Sequence, residues 1–126
     1  MGGRLSRILG AGLVMLVVAA CGKPPATTIH LQGRVRTLGL QMPISGAEVT
    51  VQWPAGLGGG ESVHRTNSAG QYAVQRTVRA RDLSCAGLAL SVEAPTYATA
   101  YTRYTEDSCG DGGVLSFDFT LYPIPQ

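Results

Sequence analysis

Ala47-Glu48-Val49-Thr50-Val51-Gln52-Trp53 alternates without a break, with Ala47, Val49, Val51 and Trp53 on one side and Glu48, Thr50 and Gln52 on the other. A period of two marks an extended strand with one face buried and one in water. A helix would need its apolar residues three and four apart instead. The stretch therefore predicts a half-buried strand, closed by Pro54, whose missing N–H cannot continue a ladder.

The same alternation recurs on both sides. Upstream, Ile29, Leu31, Gly33 and Val35 alternate with His30, Gln32, Arg34 and Arg36, and Leu38 to Ser45 reads as a connection. Downstream, Ala55 to Gly60 is rich in glycine; phosphate-cradling loops end in Gly-Lys-Ser/Thr or open a helix, and this one does neither, so a hairpin loop is expected. A short strand is predicted over 62–66, a turn over Asn67-Ser68-Ala69-Gly70, and a strand over 71–78 with Tyr72, Val74 and Val78 inward. Arg76 falls on that inward face, which predicts a strand end or a bulge there. Further strands are predicted over 88–94, 97–105 and 115–121, with loops at 79–87 and 107–113. Seven short strands separated by turn signals predict an all-β fold, a seven-stranded antiparallel β-sandwich spanning 29–122 with a short tail at 123–126.

The N-terminus has a different character. Arg4 and Arg7 precede an uncharged apolar run from Ile8 to Ala20. That run is short for a helix spanning roughly 30 Å of hydrocarbon, which takes about 20 residues, and it matches a secretory signal. Val18-Ala19-Ala20-Cys21 resembles the lipobox of bacterial lipoproteins. The resemblance implies removal of residues 1–20 and lipidation of Cys21, with Cys21 as the new first residue. Met1-Gly2 with Ser6 also fits N-myristoylation, but that motif leaves the apolar run unexplained. Gly22 rather than Asp after the cysteine implies passage to the outer membrane in a double-membraned organism. Residues 21–28, with Pro24 and Pro25, form a tether that can reach at most about 29 Å. The expected location is therefore the cell membrane, through a lipid anchor.

Arg4 and Arg7 account for the whole formal net charge of +2, so the exported part is near neutral. That leaves no net drive toward phosphate backbones, and nucleic acid is not an expected partner. The exported part, about a hundred residues, is enough for one core. With Cys21 committed to lipid, Cys85 and Cys109 remain as an even pair in an oxidising compartment, and a disulfide is expected. A metal site is not, because His30 and His64 are far apart and not spaced for zinc.

Gly33-Arg34-Val35, Pro43 to Val51, Thr66 to Tyr72 and Leu90-Ser91-Val92 with Tyr97 resemble the carboxypeptidase regulatory-like domains. The resemblance covers nearly the whole exported chain and implies a sandwich of transthyretin-like (prealbumin-like) topology. It specifies fold rather than activity, and implies an accessory role. Relatives with chemistry of their own are not matched: the only lysine of the exported part, Lys23, lies in the tether, so an isopeptide crosslink is not expected, and the chain ends Tyr122-Pro123-Ile124-Pro125-Gln126 rather than in the Tyr-Arg-Gly-Ser of the hydrolases. The chain is thus expected to be non-enzymatic and to need no cofactor. Tyr97, Tyr101 and Arg103, which share one side of a strand with Thr99, are the candidate binding face, because tyrosine and arginine suit protein or sugar recognition; core packing of inward tyrosines is the competing reading, and the favoured one. An envelope protein is the expected partner, with a carbohydrate or small molecule as the alternative. A hydrolase would require His64 or His30 beside a nucleophile in a cleft.

Overall fold

A computed structural model describes residues 25–79, 81 and 83–125; the signal, Cys21 and the start of the tether lie outside them. Among the described residues the chain forms eight strands: β1 (Ala26–Thr37), β2 (Glu48–Gln52), β3 (Glu61–Arg65), β4 (Gln71–Arg79), β5 (Ala89–Glu93), β6 (Ala100–Arg103), β7 (Val114–Ser116) and β8 (Phe119–Leu121). The helical elements among the described residues are two short 3-10 turns. One sheet runs β4-β1-β7 with β8 also on β1, and the other runs β3-β2-β5-β6. The predicted alternation is what buries the core. Ile29, Leu31 and Val35 of β1, Tyr72 and Val74 of β4, Leu115 of β7, and Phe119 and Leu121 of β8 face Val49, Val51, Leu90 and Val92 of the second sheet. The core and every strand pairing lie within residues 26–123, so this span carries its own hydrophobic interior.

The expectation of seven strictly antiparallel strands is corrected at the C-terminal end. The stretch 115–121 is two strands, and both run parallel to β1. The break lies at Phe117 and Asp118, where the chain is pressed against β1. A Cβ on Gly33 would overlap the carbonyl oxygen of Phe117, so only glycine admits this approach. Substitutes for the ladder hold the break: Phe117 N–H donates to Gln32 O at 2.9 Å, Arg34 N–H to an Asp118 carboxylate oxygen at 2.9 Å, and the Tyr72 hydroxyl to Phe117 O at 2.6 Å. Leu115, Phe119 and Leu121 still point inward, as their period requires, with Phe117 half-buried beside them.

Three further boundaries differ from expectation. β1 begins at Ala26, because Ala26, Thr27 and Thr28 continue the register with β4, so part of the expected tether is strand. The strand expected over 97–105 shrinks to β6, after a turn at Pro95 and Thr96. Arg76 neither ends β4 nor bulges it: the register with β1 is unbroken from Arg34↔Gln71 to Ala26↔Arg79. Its guanidinium instead lies 4.8 Å from the centroid of the Trp53 ring and donates to Gly59 O at 2.7 Å. A cation over an indole, with its own hydrogen bond, closes the rim of the core where an apolar side chain was expected.

The turn at 66–70 is built from its own side chains. Buried Thr66 accepts Ala47 N–H and donates to Ile44 O, while Asn67 Oδ1 accepts the N–H groups of Ala69 and Gln71. Gly70, at φ +72°, passes beneath Val35, whose N–H donates to Gly70 O at 2.8 Å. Cys85 and Cys109 are joined by a disulfide, with their Cα atoms 5.3 Å apart. Cys85 is fully buried against the core, and its N–H donates to Asp107 O.

Candidate functional site

On β6, Ala100 and Thr102 lean toward the interior while Tyr101 and Arg103 are exposed, Tyr101 by 63%. The register sets Tyr101 opposite Ser91, Ser91 opposite Thr50, and Thr50 opposite Val63. The outer face of this sheet therefore carries a row of two small hydroxyl residues walled by an exposed tyrosine at one edge and an exposed valine at the other. Arg103 stands in the next row, opposite Ala89.

Tyr97 does not share that face in full. Thr96 takes φ +70°, a left-handed conformation that β-branched residues avoid, and it is held there by Ile124 N–H donating to Thr96 O. The turn places Tyr97 in a bridge with Pro123 and packs it half-buried against the core. Of the three candidate residues for a binding face, Tyr101 and Arg103 are presented and Tyr97 is largely structural. Its exposed side lines a shallow groove of about 530 Å³ with Glu48, Arg65 and Glu93. There Glu48 lies directly opposite Glu93, an unfavourable pairing, which Arg65 relieves from the other side at 3.7 Å from Glu48.

The other sheet presents a polar outer face. An open groove of about 540 Å³ runs over Gln32, Arg34, Arg36, Gln71, Ser116 and Asp118. Its arginines were absent from the sequence-based list of binding residues, although their alternation with Ile29, Leu31 and Val35 already placed them outside.

His64 does lie beside a serine: its Nε2 is 2.9 Å from Ser62 Oγ. That hydroxyl also accepts the Trp53 indole N–H at 2.9 Å, and burial lowers the His64 pKa below the usual histidine value. Ser62 and His64 sit on β3, whereas Asp118 lies between β7 and β8 in the opposite sheet. Among the described residues no acidic side chain orients the imidazole, and neither groove reaches the pair. The pair thus reads as a polar bracket for Trp53. Among the described residues no three His, Cys, Asp or Glu side chains come together as a metal site.

No family model and no curated protein matches the sequence. Solved structures match the fold. A chlorocatechol 1,2-dioxygenase from Pseudomonas putida superposes with a TM-score of 0.58 at 16% identity, over 77% of this chain and 61% of its own. The catechol 1,2-dioxygenase of Acinetobacter radioresistens gives 0.60 at 14% identity, over 80% of this chain and 53% of its own. The dioxygenase domain of a dioxygenase carbohydrate-binding protein fusion from Streptomyces sp. SirexAA-E gives 0.59 at 16% identity, over 82% and 84%. This chain spans little more than half the length of the first two. At such identities the likeness is one of fold alone: a two-sheet β-domain that those enzymes also contain.

Proposed function

We propose that the chain is a bacterial lipoprotein held to the cell membrane through Cys21, and that its β-sandwich, of the carboxypeptidase regulatory-like and transthyretin-like kind, acts without catalysis as an interaction or structural module of the cell envelope. The observation that carries the exported part of this reading is the Cys85–Cys109 disulfide, a bond that persists in oxidising compartments and leaves Cys21 for lipid. The non-enzymatic part is supported by grooves that are open and shallow, and by a Ser62–His64 pair engaged with Trp53. Tyr101 and Arg103 are the contacts offered to an envelope protein. The row Val63, Thr50, Ser91 and Tyr101 favours a second reading, a carbohydrate laid across hydroxyls against an aromatic wall.

Metabolic labelling with a radioactive fatty acid tests the anchor. The wild type takes up label and is shortened, whereas Cys21→Ala remains a full-length, unlabelled precursor; label on that variant refutes the lipobox. Crosslinking on intact cells separates the two binding readings. A single envelope protein that is captured by the wild type and lost with Tyr101→Ala supports the first, and glycan binding by the purified domain that is lost with the same change supports the second.

A further inference from the structure

The two outer faces of the sandwich differ in charge. The face of the β4-β1-β7 sheet carries Arg34, Arg36 and Arg79, with His30 between them, and among the described residues of its strands and of the β7–β8 break Asp118 is the one acidic group. The opposite face carries Glu48, Glu61 and Glu93 against Arg65 and Arg103. The arginines of the basic face lie at both of its ends. Arg79 pairs in register with Ala26, where the tether enters, and Arg34 and Arg36 stand near the far end of β1, roughly 26 to 33 Å along the strand at about 3.3 Å per residue.

A second observation lies at that far end. Thr37 leads into a tight loop in which Leu38, Leu40 and Met42 are 51%, 87% and 56% exposed. Thr37 N–H donates to Met42 O, and Met42 N–H to Thr37 Oγ1, so the backbone is closed on itself while the three side chains are turned out. The loop adjoins the basic face: Arg36 Nη1 donates to Gln41 Oε1. Exposed apolar side chains grouped in this way mark a contact with a partner or a membrane. Arginines beside an apolar tip are what an interface of anionic headgroups over hydrocarbon accepts.

We infer that the domain lies on its membrane, with the basic face of the β4-β1-β7 sheet against anionic lipid headgroups and the Leu38–Met42 tip inserted at the interface. The occupant follows from charge complementarity and from the tether. The tether joins the first residue of the same strand that carries Arg34 and Arg36 and ends in the tip, so a lipid at Cys21 leaves this face within reach of the bilayer. The acidic sheet, with Tyr101, then points away from the membrane. The closeness of the membrane rests on the lipoprotein reading; the affinity of the face for lipid does not.

The test uses the chain from Gly22 onward, without lipid, which retains both sheets, the core and the disulfide. It is expected to sediment with vesicles of phosphatidylglycerol and phosphatidylcholine, not with phosphatidylcholine alone, and to be released by high salt. Arg34→Gln with Arg36→Gln should weaken partition roughly 25-fold, at about a factor of five per arginine. Leu40→Asp, at a site too exposed to unfold the domain, should weaken it at least about tenfold. Arg65→Gln on the other sheet should leave it unchanged. Equal binding to both vesicle types, or equal loss with Arg65→Gln, overturns the inference. So does a dimer in sedimentation velocity that Leu40→Asp dissociates, since the tip then serves a second copy of the chain. A failure here with fatty-acid labelling intact leaves the anchor standing and removes only the face.

Discussion

Tyr72 shows how much of this fold is decided by single polar atoms inside an apolar frame. Its ring packs on Phe119, with centroids 6.4 Å apart, and its hydroxyl donates to Phe117 O at the break between β7 and β8. Burial first, and the charge of Asp118 second, hold its phenol well above the ordinary tyrosine pKa. The sign follows from linkage. The folded state keeps the phenol protonated where the unfolded chain ionises it, so this contribution is complete below pH 10, the ordinary value, and is lost as pH rises toward the folded value. Chemical denaturation followed from pH 8 upward should give a flat stability and then a fall, with a slope of at most about 1.4 kcal/mol per pH unit from this group. Tyr72→Phe should start about 1 to 2 kcal/mol lower, because Phe117 O loses its donor, and should fall less steeply. An unchanged alkaline slope in that variant would assign the loss to another group. Arg76 carries the same lesson from the charged side. A charge on an inward position contradicts the alternation around it, and the indole of Trp53 and the carbonyl of Gly59 resolve the contradiction.

At the scale of elements, the strands that run alone were legible, and those that depend on a distant neighbour were not. β2, β3, β4 and β5 fall within a residue or two of the stretches where apolar and polar residues alternate, because each buries one face and the period of two records it. The break at Phe117 and Asp118 leaves no such record: Leu115, Phe117, Phe119 and Leu121 alternate perfectly through it. Its cause is Gly33, more than eighty residues earlier, which lets Phe117 approach β1. Parallel pairing with β1 was equally hidden, since alternation fixes a face and not a direction. The candidate site was half legible for the same reason. Tyr101 and Arg103 follow the alternation of β6, whereas Tyr97 is turned by the strained Thr96, which no period reports. Gly33→Ala tests this account. Its new methyl would meet the Phe117 carbonyl and the Tyr72 hydroxyl, so a loss of about 3 kcal/mol is expected, with amide exchange accelerated chiefly in β7 and β8. Adding Tyr72→Phe removes one of the two clashing oxygens and should recover part of the loss. A variant as stable as wild type would show that the two strands do not need the close approach.

At the scale of the whole molecule, the disulfide joins two loops that the sheets alone leave unconnected. Cys85 lies in the connection between β4 and β5, at the mouth of the core, and Cys109 in the loop between β6 and β7. The bond thus ties the entry of the β3-β2-β5-β6 sheet to the chain about to join the other sheet. Ser84 Oγ donating to Asp107 at 2.8 Å and Cys85 N–H donating to Asp107 O repeat the link without covalency. A loop of about 25 residues is worth roughly 3.5 kcal/mol in the chain-entropy account, less any structure that the reduced chain retains. That is a large share of the 5 to 15 kcal/mol typical of such a domain. Denatured without reductant, the β-domain should show no reactive thiol at Cys85 or Cys109. Reduced, it should remain folded but melt lower by roughly 14 to 28 °C, at about 4 to 8 °C per kcal/mol. The β4-β1 pairing, long and continuous, should be the last to exchange, because neither loop contributes to it. If reduction instead left the melting temperature unchanged, the hydrogen bonds around Asp107 would be sufficient to hold the loops. The bond would then serve resistance to unfolding rather than equilibrium stability, and the rate of unfolding, not its midpoint, would be the quantity that reduction changes.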